Sequence, residues 1–291
     1  MALDSMQEII DEALSSKKEI WQVVLGVDED ERQVTEEESL NRMRYTWQAM
    51  LDSVDSYQSD RRSVSGLVGG DGQRMREFSK TGKALCGDYL QEVIATALKV
   101  GESNACMCKI VAAPTAGACG VLPAVLVPLY KNGKATEEEM LKALYVASGI
   151  GAVIASRACI AGAAGGCQAE IGSASAMAAG ALVSLQGGDA VQVGNAVAMA
   201  LKNLMGLVCD PIAGLVEVPC VKRNVVGAVN AVSSADMAMA GITSRVPVDE
   251  VIDCMGDVGR RMPVEFRETA LGGLAVTPFG QSMKEKMQGG Q

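Results

Sequence analysis

The sequence predicts a mainly α fold: a single domain of Gly- and Ala-rich, closely packed helices joined by loops. Apolar residues recur at three- and four-residue spacing over long stretches, with few strand-type β-branched alternations. Two capping boxes, Thr35-Glu36-Glu37-Glu38 and Thr136-Glu137-Glu138-Glu139, mark helix starts. Aromatic residues make up only 3% of the chain against 32 glycines, so the interior must be built from Ala, Val, Leu, Met and Gly, which let helices approach closely.

Residues 4–25 place Met6, Ile9, Ile10, Ala13 and Leu14 on one helical face. Asp28–Glu31 is expected to be an acidic loop. The helix opened by Thr35 runs toward Val54, with Leu40, Met43, Trp47, Met50, Leu51 and Val54 at helical spacing. Residues 59–82 are rich in Gly, Ser, Arg and Asp and read as a long loop. Gly87–Val100 returns to helix. Ile110–Ala113 is a short apolar run, a candidate strand, leading into the turn Pro114-Thr115-Ala116-Gly117. A helix follows from Thr136 to about Ser156, then a loop of small residues over 158–166. Helices are expected over 168–186, 189–206, 225–242 and 249–261, the last bracketed by Pro247 and Pro263. Gly272–Gln291 reads as loop plus a short charged helix. No internal repeat or linker divides the chain, so residues 1–291 are expected to form one domain. Its acidic helical part covers about 1–62, and its chemistry-bearing motifs fall within about 104–280.

The 26 basic and 35 acidic side chains leave a net charge of −9, and residues 1–62 alone hold 7 basic and 15 acidic ones. A negative surface repels phosphate backbones, which argues against nucleic-acid binding. The acidic N-terminal part reads first as a solvated helical face and second as a docking surface. Nine cysteines, an odd number, with no signal peptide and no Asn-x-Ser/Thr sequon, point to the reducing cytoplasm rather than to a disulfide scaffold. Ile171–Gly188 is uncharged and long enough to raise a transmembrane question. Its Ser173, Ser175, Ser184 and Gln186, and its Ala and Gly content, fit a buried helix of a soluble protein and no membrane.

Three cysteines stand in distinctive frames: Gly-Gly-Cys-Gln-Ala-Glu around Cys167, Leu-Val-Cys-Asp-Pro-Ile-Ala-Gly around Cys209, and Glu-Val-Pro-Cys-Val-Lys-Arg-Asn around Cys220. Taken singly, each reads as a small buried hydrophobe. Their neighbourhoods add a second meaning. Two glycines before Cys167 give backbone freedom and room, while prolines stiffen the chain beside Cys209 and Cys220. Three thiolates can hold three corners of an iron–sulfur cube and leave the fourth iron open as a Lewis acid for a substrate hydroxyl. Without a Cys-x-x-Cys pair, spacing alone does not decide between these meanings. The chain contains no histidine, so any mechanism confined to it must do without imidazole.

These frames, with Ala-Ala-Pro-Thr-Ala-Gly (112–117), Ala-Gly-Ile-Thr-Ser-Arg (240–245) and Glu-Thr-Ala-Leu-Gly-Gly-Leu-Ala-Val-Thr-Pro (268–278), resemble the iron–sulfur-dependent L-serine dehydratases. The resemblance is to the α subunit of the two-chain form and runs over most of the chain. It implies a helical catalytic domain with a 4Fe–4S cluster held by Cys167, Cys209 and Cys220. It also implies a separate β subunit, a heteromeric assembly and a role in serine catabolism and gluconeogenesis. The expected reaction takes L-serine to pyruvate and ammonia without pyridoxal phosphate. Some relatives end in a cysteine that occupies the fourth iron at rest. This tail, Lys-Glu-Lys-Met-Gln-Gly-Gly-Gln, has none, which puts tail-gated activation in doubt.

Substrate contacts are sought near these motifs. Arg223, with Lys222 beside it, suits a carboxylate grip, and surface charge explains that pair equally well. Thr115 and Gly117 offer a hydroxyl and backbone amides; Asn104 and Asn224 are further polar candidates. For proton transfer the candidates within the chain are a lysine such as Lys109, a carboxylate such as Glu170, or a thiolate; Glu170 is also a candidate for binding the ammonium, and a capping or structural role explains it equally well. The chain has no histidine, and the resemblance implies a β part whose histidines reach the catalytic site, so the α chain alone is expected to be poorly active. Competing expectations are the same chemistry on L-threonine or L-cysteine, or a non-enzymatic helical subunit with merely buried thiols. Cys106 and Cys108, with Cys86 and Cys119 nearby in sequence, make a second metal site conceivable, though small residues in a tight loop explain them more simply. Gly149-Ile150-Gly151 fits helix packing better than a dinucleotide fingerprint. Gly66–Gly72 reads as a flexible loop, a lid, or an anion-binding nest.

Overall fold

A computed structural model describes residues 4–289, and among them the chain forms thirteen α-helices and no strand. The helical expectation holds, with local differences that have physical causes. The first expected helix is two: α1 (Met6–Ser16) ends where Lys17 turns left-handed, and α2 (Ile20–Arg32) restarts from a capping box between Glu19 and Gln22. Asp28–Glu31 is therefore helix and not loop. Asp28 is held there by Arg32 one turn on, at 2.8 Å, and by the Ser39 hydroxyl. The Thr35 and Thr136 boxes form as expected and open α3 (Glu36–Asp55) and α7 (Glu137–Arg157).

The expected 59–82 loop contains a short helix, α4 (Asp71–Ser79), which packs along α5 (Asp88–Ala105). Its N-terminus explains the glycine-rich segment. The buried Glu102 carboxylate accepts from the amides of Asp71 at 2.7 Å and Gly72 at 3.2 Å. The anion in this nest is thus a side chain of the protein itself. Ile110–Ala113 forms no strand. The α6 helix (Val121–Lys131) was not anticipated, because Pro123 and Pro128 masked it. Pro123 sits in the first turn, where its missing N–H costs nothing, and Pro128 removes only one ladder bond.

Helix α9 (Ser173–Leu185) is the hub, buried from Ser173 through Val183. It packs against α7, α10 (Ala190–Leu204), α11 (Cys220–Met239) and α6. Small residues permit this closeness: a Cβ at Gly180 would overlap Ile150 on α7, and one at Gly149 would overlap Val24 on α2. One polar knot ties the hub. Ser175 donates to Gly227 O at 2.8 Å, and Asn230 donates to Ser175 Oγ and to Ala200 O, each at 2.9 Å. Helix α7 is long and apolar enough to cross a membrane by composition, but its apolar positions are spent on this core. The short α8 (Gly162–Gly165), α12 (Val248–Arg261) and α13 (Pro278–Gly289) complete the described chain. The last residues of the expected tail, 290 and 291, lie outside it.

Candidate functional site

The three cysteine frames come from different parts of the chain, and the fold brings them to one end of the α9–α11 pair. Cys167 follows α8, and a single π turn, Gln168–Gly172, joins it to α9. Such turns rotate the following side chains relative to a regular helix and occur often at functional sites. The buried Gln168 fixes this corner. Its amide donates to Met255 O at 3.2 Å, its carbonyl accepts from Gly206 N at 2.8 Å, and its backbone N–H donates to Leu207 O at 2.9 Å. The strap after α10 is thereby pinned, and Cys209 lies just beyond it.

Cys209 is held by the only backbone ladder among the described residues, an isolated parallel bridge to Arg267. Its N–H donates to Phe266 O and its carbonyl accepts from Glu268 N, both at 2.8 Å. Cys220 is the first residue of α11, not part of a loop ahead of a helix at 225. Asn224, one turn on, ties that start to the Pro-Thr-Ala-Gly turn: its amide donates to Cys220 O at 3.0 Å and Gly117 O at 2.8 Å, and its carbonyl accepts from Gly120 N at 2.8 Å. Both amide hydrogens of Asn224 are committed to the scaffold, so this residue sets the turn against Cys220.

All three thiols are buried. Interaction with Cys209 and then the nearby Arg223 guanidinium favour the thiolate of Cys167 and hold it below the usual thiol range. The same interaction and burial push Cys209 up. Burial pushes Cys220 up to about 12, and the charge of Cys167 adds to it. Among the described residues no three Cys, Asp or Glu side chains converge as the ligands of one ion would. Ligands of a cluster bind separate irons and need no such convergence, so three neighbouring thiols match the latter donor set better.

Glu170 faces the thiols. A Cβ on Gly162 would lie 2.9 Å from its carboxylate and 3.2 Å from Cys209 Sγ, and one on Gly117 would lie 3.1 Å from both carboxylate oxygens. The two glycines therefore form a cradle that any side chain would fill. Burial raises the Glu170 pKa; Thr115 opposes that shift and the Glu268 charge adds to it. Thr115 Oγ1 is buried beside this carboxyl without a hydrogen bond of normal geometry. A hydroxyl so placed is available to a ligand.

Arg223 is neither on the surface nor free. It pairs with the buried Asp210 at 2.8 Å and donates to Val208 O at 2.7 Å. Asp210 in turn accepts from Leu274 N at 2.9 Å. Sequence reasoning missed Asp210, although it directly follows Cys209. It also missed Glu268, whose backbone is left-handed (φ 62°) and whose charge acts on Glu170 and Cys220. Among the other candidates, Asn104 lies one layer out and donates to Ala116 O at 3.1 Å. Lys222 is exposed and pairs with Asp71 at 3.1 Å, and Lys109 is exposed on the loop after α5. Neither lysine joins the thiols. Cys106 and Cys108 lie apart from the triad, beside Arg61.

A helical protein with clustered thiols, a cradled carboxyl and a partly buried guanidinium belongs to the class equipped for metal or anion chemistry. The comparisons with known proteins narrow that class. Residues 15–275 match the family model described as serine dehydratase alpha chain. The chain is 44% identical over 286 residues to the "Probable L-serine dehydratase, alpha chain" of Bacillus subtilis, covering 98% of this chain and 95% of that protein. It is 43% identical over 284 residues to the "L-serine dehydratase, alpha chain" of Peptoniphilus asaccharolyticus, covering 97% of each. With the "Probable L-serine dehydratase, alpha chain" of Latilactobacillus sakei it shares 52% identity over 202 residues, 69% of this chain and 97% of that one. The chain belongs to the serine dehydratase alpha-chain family.

Proposed function

We propose that this chain is the catalytic α chain of a cytoplasmic L-serine dehydratase, a lyase that converts L-serine to pyruvate and ammonia, and that Cys167, Cys209 and Cys220 hold a 4Fe–4S cluster. The observation that carries the proposal is the meeting of three buried thiols from three separate segments with the carboxyl of Glu170 over a glycine cradle. The donor chemistry fits the group: soft thiolates for iron, and Arg223 nearby to offset their negative charge.

Serine dehydration faces two obstacles, a weakly acidic Cα–H and a poor leaving group. When bound, the cluster supplies a Lewis-acidic iron for the substrate hydroxyl. The side chains address the rest. The Pro-Thr-Ala-Gly turn, fixed by Asn224, presents the Thr115 hydroxyl and backbone amides to the substrate carboxylate. Arg223, already bound to Asp210, offsets negative charge at the thiol end of the site rather than gripping the substrate. Glu170 holds a proton more readily than an exposed glutamate, because burial disfavours its charge, and gives that proton to the departing oxygen. The base for Cα comes from an imidazole of the β chain, since this chain has no histidine. The resulting enamine tautomerises to the imine, and water releases pyruvate and ammonium.

The test is anaerobic assay of the purified α and β chains, separately and together, with L-serine, L-threonine and L-cysteine. Pyruvate from serine, formed only by the pair, is the expected result. A preference for threonine, seen as 2-oxobutyrate, or sulfide release from cysteine would keep the site and reassign the substrate. Full turnover by the α chain alone would remove the borrowed base.

A further inference from the structure

The Cys-Met-Cys segment at the end of α5 lies outside the site above, and its geometry is specific. Helix α5 ends in a Schellman turn: Cys108 N donates to Ser103 O at 2.8 Å, and Met107 N donates to Asn104 O at 2.9 Å. The left-handed position in such a turn is normally glycine. Here it is Met107, with φ 58° and 83% of its surface exposed. A side chain there strains the backbone. The turn folds the backbone back so that the two flanking thiols share one edge, and both line a narrow crevice with Tyr57, Arg61 and Glu102. Arg61, from the loop after α3, donates from Nη1 to Cys108 Sγ at 3.0 Å. Cys106 is buried behind it, and Cys108 is half-exposed.

We infer that Cys106 and Cys108 form a peroxide-reactive dithiol in which Cys108 attacks and Cys106 resolves. The Arg61 contact singles out Cys108 as the attacking sulfur, and its partial exposure admits a small oxidant. The Cys108 sulfur attacks one oxygen of hydrogen peroxide, the O–O bond breaks, and the first water leaves. Cys108 is then a sulfenic acid. The Cys106 sulfur attacks it, the S–S bond forms, and the sulfenic oxygen leaves as the second water. Each thiol gives up its hydrogen; the two sulfurs lose two electrons in all, and peroxide gains them. A bridge between residues two apart must reshape the turn between them. From Cys108 the chain runs directly to the 114–117 turn, and Asn104 in the same Schellman turn holds Ala116 O at 3.1 Å. Oxidation here therefore displaces the segment carrying Thr115. The oxidation itself does not rest on the function proposed above.

The test is anaerobic titration of the full-length chain with hydrogen peroxide, followed by alkylation and peptide mass mapping. The expected result is loss of two hydrogens from the peptide holding Cys106 and Cys108 at doses that leave the exposed Cys254 unmodified. Arg61→Ala should slow that loss roughly tenfold. Cys106→Ser should instead leave a sulfenic acid on Cys108 that a cyclic 1,3-diketone captures. Oxidation of this pair no faster than Cys254, an unchanged rate in Arg61→Ala, or capture at Cys106 rather than Cys108 would overturn the assignment.

Discussion

The α7–α9–α10 core and the thiol site share helix α9 and follow opposite rules. The core is regular helix filled with Ala, Val, Ile and Leu, with glycine where two backbones meet, as Gly180 does under Ile150. The site begins where that regularity stops: at the π turn before α9, at the strap after α10 and at the first residue of α11. Its side chains are held by polar ties through Gln168, Asn224 and Asp210. A substitution in the core should cost stability first; one among the thiols should cost chemistry first.

The sharpest way to break that contrast is to remove a thiol. Cys167→Ala, Cys209→Ala and Cys220→Ala should each cut serine turnover at least about 100-fold, since loss of mere supporting groups around a metal costs 10–100-fold. Circular dichroism and thermal melting of the same variants should stay close to the parent. A comparable collapse of the fold would make these cysteines core residues.

Asp210→Ala probes the polar ties. It leaves the largely buried Arg223 without its partner, a change bounded by the loss of about 3–5 kcal/mol where a buried pair is broken from one side. Urea titration should show that loss, and the double variant Asp210→Ala with Arg223→Met should recover much of it without restoring activity.

Gly149→Val tests the core alone. The added branches meet Val24 across the α2–α7 contact, and overpacking of this kind costs about 1–3 kcal/mol. Serine turnover of the folded fraction should be unchanged.

The smallest effect concerns the Thr136 capping box. Hydrogen bonds from the Thr136 backbone and hydroxyl hold Glu139 below its ordinary value of 4.5. A carboxyl whose folded pKa is depressed stabilises the fold above its unfolded pKa, and that contribution fades as pH falls through the folded value. Glu139→Gln should therefore lower the melting temperature slightly at pH 7, and the difference from the parent should close as the pH falls below 4.5 and through the depressed folded value. A gap that persists in acid would mean that charge plays no part in the cap.

The same contrast explains what was legible in the sequence. The core was, because periodic apolar residues and the Thr35 and Thr136 boxes are local signals that tertiary packing reinforces. Cys167, Cys209, Cys220, Thr115, Gly117 and Glu170 were also picked out, by their frames, and the fold brings them together. Local rules failed at proline and at charge. Pro123 and Pro128 hid α6, and Asp28–Glu31 looked like loop because its Arg32 and Ser39 partners are only apparent once folded. Arg223 read equally as a substrate grip and as surface charge, and neither reading included Asp210, thirteen positions earlier, which holds it in the fold. Asn224 looked like a ligand contact and is a tie between two backbones. Such roles depend on distant partners, which one-dimensional patterns do not carry.

The most direct measurement for the central claim is anaerobic reconstitution of the α chain with iron and sulfide, followed by iron and sulfide analysis and Mössbauer spectroscopy. About four irons and four sulfides per chain, with one iron site distinct from the other three and changed by L-serine, is the predicted result. That signature should vanish in Cys167→Ala, Cys209→Ala and Cys220→Ala. Full serine turnover by a preparation without iron, or a cluster that forms equally well after all three thiols are removed, would contradict the account.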